Sequence, residues 1–284
     1  MTAEARFEAR FEARFEARFE AMGSWGHVVV VGVSDACTAA IARIDDLERR
    51  WSRFLPDSEI SRLNADGGAV VSAETAGLVQ RAQAAHRATG GRFDARVLAA
   101  VVAAGYDRAL GVVVHAPCAG IDPGGIGKGY AADLVVEELV AGGATGACVN
   151  LGGDLRVEGS PPGGSPWVVD VEDPFGGPPL ARLGLKRGAV ATSNRLRRSW
   201  TVDGEHRHHL IDPATGHSAV TDAVAAVVVA GEAWWAEALS TAAMVAGVTA
   251  GLELITAKGA AGLIVDEAGR RHDTPGLRLY LDGR

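Results

Sequence analysis

The chain has 284 residues, 48% of them hydrophobic and 22% charged, with a formal net charge of −7. That length supplies one large domain or two closely packed ones with a sizeable core, and the composition excludes a collagen, a disordered tail or a disulfide scaffold. The acidic balance argues against affinity built on phosphate neutralisation, so no nucleic-acid partner is expected.

Cys37, Cys118 and Cys148 are isolated and odd in number, the pattern of small buried hydrophobes in a reducing compartment. No run of about 18 apolar residues occurs, so no membrane-spanning segment is expected. The N-terminus lacks the apolar core of a signal peptide, which makes a cytoplasmic location the default expectation.

Residues 4–20 are four copies of Glu-Ala-Arg-Phe and a fifth Glu. In a helix every i,i+4 neighbour would be identical, setting Arg against Arg and Glu against Glu. A strand separates Ala and Phe from Arg and Glu, but the whole repeat would then reach about 55 Å, too long for an ordinary sheet. The expectation is a repetitive extension over 1–17, outside the fold, and one domain over 18–284. Removing residues 1–21 takes away four Arg and five Glu and leaves −6, so the acidity belongs to the body.

Residues 28–33 are a β-branched run and read as a strand. Ile41, Ile44, Leu47, Trp51 and Phe54 recur at helical spacing over 36–54, and Pro56 breaks that helix. Ser58 can cap a short helix reaching Asn64, and Ser72 opens another that runs to about Ala88 and stops at Gly90-Gly91. A glycine-rich stretch at 124–129 leads into a helix over 130–140. Segments 149–155 and 167–171 read as strands around a Pro/Gly loop at 159–166. An apolar run at 223–230, an Ala-rich helix at 233–246 and short closing strands at 262–265 and 277–281 complete the pattern. Helices and strands mix without strict βαβ alternation, which favours α+β over a doubly wound sheet.

Three stretches can carry chemistry. The first runs from Asp122 through Gly124, Gly125, Gly127, Lys128 and Gly129 into a helix. Glycines let backbone amides approach an anion, the helix N-terminus adds its dipole, and Lys128 adds a full charge. It is not a phosphate-binding P-loop, because Gly129 stands where Ser or Thr is needed, and a plain glycine turn remains the alternative. Only three of 28 basic residues are Lys, which draws attention to Lys128. The second is His209-Leu210-Ile211-Asp212-Pro213-Ala214-Thr215-Gly216, with His206 and His208 upstream. These histidines can hold zinc, though no partner Cys or helical HExxH accompanies them; a single His can instead position or deprotonate a nucleophile, or simply end a polar strand. The third places Glu237 and Thr241 at i,i+4 on one helix face, either as ligands to a hard cation or as an exposed Glu with a capping Thr.

Taken together, these stretches resemble the ApbE family of FAD:protein FMN transferases. The motifs that carry the likeness stand in family order: Ala21-Met22-Gly23-Ser24; the segment from Ser52 through Phe54 and Ser58-Glu59-Ile60 to Leu63-Asn64; Gly91-Arg92-Phe93-Asp94; Asp122 through Lys128 to Asp133; Asn150-Leu151-Gly152-Gly153-Asp154; Ala191-Thr192-Ser193; His209 to Gly216; and Ala236-Glu237 to Thr241. The resemblance implies an α+β fold of two intimately packed α/β lobes, with mixed, largely antiparallel sheets and FAD in the cleft between them. It implies that a threonine hydroxyl of an acceptor protein, in a D-G-x-[ST]-x-A-T-like motif, attacks the FMN phosphorus and releases AMP, with Mg2+, or Mn2+, at the pyrophosphate.

Carried over position by position, the Gly125 carbonyl, Glu237 and Thr241 would hold the metal. Met22, Phe54, Arg92, Phe93, Asp94, Lys128, His209 and Ile211 would line the FAD site, with His209 as base or positioning group. For Met22 and Phe54, ordinary core packing is the alternative. The sequence departs from the pattern at Glu237, where the family has Asp, at Ser24 for Thr, and at Pro123 and Gly127. Many family members are exported lipoproteins with an N-terminal Cys, a signal this chain does not display. Two rivals accompany the transferase reading: an FAD pyrophosphatase that releases FMN and AMP, and a flavin-binding protein without catalysis.

Overall fold

A computed structural model describes residues 13–109, 120–161, 165–202 and 204–281. In chain order, strands β1 (Arg14–Ala21) and β2 (Ser24–Val31) precede helices α1 (Ala36–Trp51), α2 (Glu59–Asp66), α3 (Ala73–Ala88), α4 (Leu98–Ala103) and α5 (Tyr106–Ala109). A 3-10 turn at Pro123–Gly125 leads into α6 (Gly127–Ala141), then β3 (Gly146–Leu151), β4 (Asp154–Gly159), β5 (Trp167–Val171), β6 (Ala181–Leu185) and β7 (Gly188–Asn194). Short strands β8 (Ser199–Val202), β9 (Glu205–His208), β10 (Ile211–Asp212) and β11 (His217–Ser218) follow. The chain then runs through β12 (Ala223–Ala230), α7 (Ala233–Ala246), α8 (Val248–Ala257), β13 (Ala261–Asp266) and β14 (Arg271–Asp273).

Eight strands form one sheet in the order β1-β2-β3-β4-β7-β12-β13-β14, and all its pairings are antiparallel. The class is α+β, as expected. Both faces of the sheet are covered, which explains why β2 and β12 read as unbroken apolar runs rather than alternating ones. Val28, Val30, Val149 and Val228 pack under α1, α6 and α7 on one face. Val29, Val31, Val157, Val227 and Leu263 meet the β5–β6 ribbon and Leu277 on the other.

Ser58 and Ser72 cap α2 and α3 as their sequences suggest, accepting from the backbone N–H of Ser61 and Thr75. Three elements differ from expectation. β1 begins at Arg14, so the repeat enters the sheet four residues before the boundary placed at 18, with Arg14 to Ala17 opposite Val31 to Val28. Alternation lets these residues bury one face, and residues 1–12 lie outside the described part. Segment 149–155 is a hairpin rather than one strand, because Gly152 and Gly153, both at positive φ (65° and 102°), turn the chain in two residues. Residues Pro275–Leu279 coil into a 3-10 turn instead of a closing strand, with Leu277 fully buried. Cys37 and Cys148 are free thiols; Cys118 falls outside the described residues.

Candidate active site

The Met22-Gly23 turn, the β3–β4 turn and the start of β12 lie at one end of the sheet, where the strand registers bring them together. A cleft of about 1650 Å3 opens there. Met22, Phe54, Arg92, Phe93, Asp94, Gly125, Lys128, His209, Ile211, Glu237 and Thr241 all line it, although they are spread over 220 positions of chain.

The deepest polar group is a charge cluster. Lys128, in the first turn of α6, pairs through Nζ with Asp154 and with Glu237 Oε1 at 3.1 Å. Glu237 Oε2 accepts from the Gly129 N–H at 2.8 Å, and Asp154 Oδ1 accepts from the Thr192 N–H at 3.3 Å. Glu237 is 3% exposed, which removes the reading of an exposed glutamate. One ammonium faces two buried carboxyl groups. Burial, with Asp154 adding to it against the pull of Lys128, raises the Glu237 carboxyl above its usual range. Burial works against the Lys128 charge, but the two carboxylates outweigh it and hold the ammonium protonated.

Thr241 stands one helical turn beyond Glu237 and shares its face. Its Oγ1 is 3.3 Å from Ser193 Oγ, and lies 3.5 Å from where a Cβ on Gly125 would stand. Phe93 is buried, with its ring edge 3.1 Å from the same point, so Gly125 is pressed between Phe93 and α7. The Glu237 carboxyl and the Thr241 hydroxyl are oxygen donors on one helix face, with Gly125 beside Thr241. Oxygen donors of this kind fit a hard divalent cation that takes its remaining ligands from phosphate and water. No three His, Cys, Asp or Glu side chains converge as a metal centre among the described residues. The histidine run accordingly divides: His208 is buried with Nε2 3.0 Å from the Ala219 carbonyl, His206 is exposed, and His209 faces the cleft.

Burial, reinforced by the Arg198 charge, pushes the His209 imidazole down to about 3, so the ring is neutral. Nδ1 lies 3.3 Å from the Arg198 carbonyl and can donate to it, which leaves Nε2 as an acceptor. Phe54 is 39% exposed into the cleft rather than packed in the core, with the Arg53 guanidinium 4.2 Å from its ring centre. Met22 is half-buried in left-handed backbone (φ 53°) at the hairpin turn. Ile211 is buried against Val101 and Ala104, Arg92 is exposed at the rim, and Asp94 is gripped by Arg96 at 2.7 Å and by His86 at 3.3 Å.

Three functional-looking groups escaped the residue-level reading. Asp154 and Asp133 stand inside recognised motifs, but nothing in their spacing tells that one pairs with Lys128 and the other caps α7. Arg53 is 6% exposed and grips Asp107 with both guanidinium nitrogens, at 2.9 and 2.6 Å, while its Nε reaches Asp122 at 3.1 Å. The adjacency of Arg53 to Phe54 was its only sequence signal.

The model of the ApbE family matches residues 22–115 and 107–264. An FAD:protein FMN transferase of Treponema pallidum is 31% identical over 237 residues, 67% of this chain and 66% of that protein. One from Vibrio cholerae is 26% identical over 262 residues, covering 80% and 78%. The crystal structure of the ApbE protein of Thermotoga maritima superposes with a TM-score of 0.84 at 28% identity, over 95% of this chain and all of that one. No helix among the described residues is long and apolar enough to cross a membrane.

Proposed function

The chain belongs to the ApbE family, and from that premise we propose that it is an FAD:protein FMN transferase acting on a threonine hydroxyl. The observation that carries this reading is the single cleft into which eleven separately read positions fall, with Lys128, Glu237 and Thr241 clustered on its floor. FAD is the substrate, and its isoalloxazine and adenine rings need apolar walls such as those of Phe54, Phe93, Met22 and Ile211. Lys128 meets the pyrophosphate as a point charge beside the N-terminus of α6, where backbone amides add to the field.

In the transfer step the acceptor Oγ forms a bond to the FMN phosphorus while the phosphorus–oxygen bond to AMP breaks, and AMP leaves with the bridging oxygen. The hydroxyl proton has an acceptor in His209 Nε2, which positions the nucleophile. The Gly125 carbonyl, Glu237 and Thr241 would hold Mg2+, or Mn2+, which when bound supplies neutralising charge at the pyrophosphate. The oxygen donors of Glu237 and Thr241, one turn apart on one face of α7, support that assignment.

Incubation with FAD, magnesium and a peptide carrying a D-G-x-[ST]-x-A-T motif tests the reading. The expected result is a peptide heavier by one phosphoester-linked FMN, together with one AMP. Free FMN without a modified peptide would reassign the protein as an FAD pyrophosphatase. Unchanged FAD, bound but not cleaved, would leave only flavin binding.

A further inference from the structure

β1 is the outermost strand of the sheet, and no other strand among the described residues pairs with its free side. The Gly32 N–H donates to the Ala13 carbonyl, which fixes the phase of the β1–β2 ladder: odd-numbered residues of β1 bond to β2, and Arg14, Glu16, Arg18 and Glu20 turn their N–H and C=O groups outward. Edges of this kind are ordinarily blunted by Pro, Lys, a bulge or short length. β1 has no Pro, Lys or bulge over eight residues, and its edge charges alternate in sign, Arg with Glu, whereas the opposite edge, β14, is three residues long.

We propose that β1 is a self-association surface that pairs antiparallel with β1 of a second copy of this chain, Ala17 facing Ala17, so that two eight-stranded sheets continue across a two-fold axis. The register follows from the period of the repeat. Outward-facing residues must meet outward-facing residues, which leaves registers two residues apart. With Ala17 at the centre, Arg14 meets Glu20 and Glu16 meets Arg18, while Phe15 meets Phe19 on the helix-side face. A shift by two sets Glu16 against Glu16 and Arg14 against Arg18. A shift by four restores Arg against Glu but pairs fewer residues of β1, so charge complementarity and length together select the centred register, and its symmetry selects a second copy over an unrelated strand. The preceding copies of the repeat are a poorer occupant of their own edge, because the sequence before Gly23 contains no Gly, Pro, Asn or Asp to turn the chain back.

The four charged residues are exposed, so they can be exchanged without touching the core. Sedimentation equilibrium of the full chain should give a mass about double 29.3 kDa. Two variants test the pairing: Glu16→Arg with Glu20→Arg makes an all-Arg edge, and Arg14→Glu with Arg18→Glu makes an all-Glu edge. Each alone should dissociate, with Kd raised about 100-fold or more, and an equimolar mixture should recover a dimer holding one of each. Three results would overturn the proposal: a monomeric wild type, a dimer that both variants leave intact, or a dimer that appears only once residues 1–12 are removed.

Discussion

Replacing Lys128 with Met removes the cation between Asp154 and Glu237 while keeping the length of the side chain. Both carboxylates are almost fully buried, 2% and 3% exposed, and would keep the Thr192 and Gly129 amides as hydrogen-bond partners. Breaking a buried ion pair from one side costs about 3–5 kcal/mol. For a chain of this size that corresponds to a fall in Tm of roughly 6–20 °C, at about 2–4 °C per kcal/mol. The loss should be largest at high pH, where both carboxylates are ionised, and should shrink as acid protonates Glu237. If the cluster also accepts a divalent cation, magnesium or manganese at about 100 times its Kd should return ~2.7 kcal/mol to the variant. Thermal melts at pH 6 and pH 8, with and without metal, read all three effects. Lys186→Met, at an exposed lysine, is the control and should stay within about 0.5 kcal/mol of wild type. A Lys128→Met variant that loses less than about 1 kcal/mol at pH 8 would refute the idea that this ammonium neutralises the pair.

Three other perturbations separate the parts of the site. Gly129→Ala would set a Cβ 2.7 Å from the Trp234 nitrogen and into the Ala233 carbonyl; forcing α6 from α7 should cost about 1–3 kcal/mol or more in urea denaturation and weaken FAD binding with it. His209 is neutral when folded, its imidazole held down to about 3 by burial and Arg198, and an unfolded histidine titrates near 6.5. The native state thus binds fewer protons between those values, so this contribution is complete above pH 6.5 and is lost as pH falls toward 3. In His209→Gln the acid limb of the Tm profile should flatten, with wild type losing about 1–2 kcal/mol more than the variant by pH 5; parallel profiles would contradict this. Arg53→Lys keeps the charge but loses the two-pronged grip on Asp107 and the planar contact on Phe54. It should raise KM for FAD about tenfold with a smaller change in kcat; an unchanged KM would show that Phe54 needs no support.

Legibility varied with how local the cause was. Ser58 and Ser72 announced helix starts because a cap is a contact between residues three apart, and Phe93, Glu237 and Thr241 were readable through motifs. The Gly152-Gly153 hairpin was missed because a stretch of apolar residues around two glycines reads as a strand until φ is known. The boundary placed at 18 falls inside β1 for a different reason. Every copy of the repeat has the same strand tendency, so the repeat does not mark which residues pair with β2; Arg14 to Ala17 do so because Val31 to Val28 stand opposite them. Arg53 and Asp107 are 54 positions apart, and only the folded chain brings them together.

The position of Glu237 follows from a reciprocal arrangement of two helices. Asp133, in the second turn of α6, accepts from the N–H groups of Ala233 and Trp234 at 2.8 and 2.9 Å and so fixes the start of α7. Glu237, one turn into α7, accepts from the Gly129 N–H and so fixes the start of α6. Each helix N-terminus, with its dipole and unpaired amides, is held by a carboxylate of the other. The missing side chain at Gly129 is what lets the backbones come close enough for both contacts. Within this frame the extra methylene of Glu237 has a local use: its two oxygens span the Gly129 amide and the Lys128 ammonium at once. An aspartate on the same helix position reaches less far, so restoring the family residue by Glu237→Asp gives up one of these contacts unless α7 shifts toward α6. The substitution and the helix packing are therefore parts of one geometry, and the face of α7 that carries Glu237 and Thr241 is set by contacts within the chain itself.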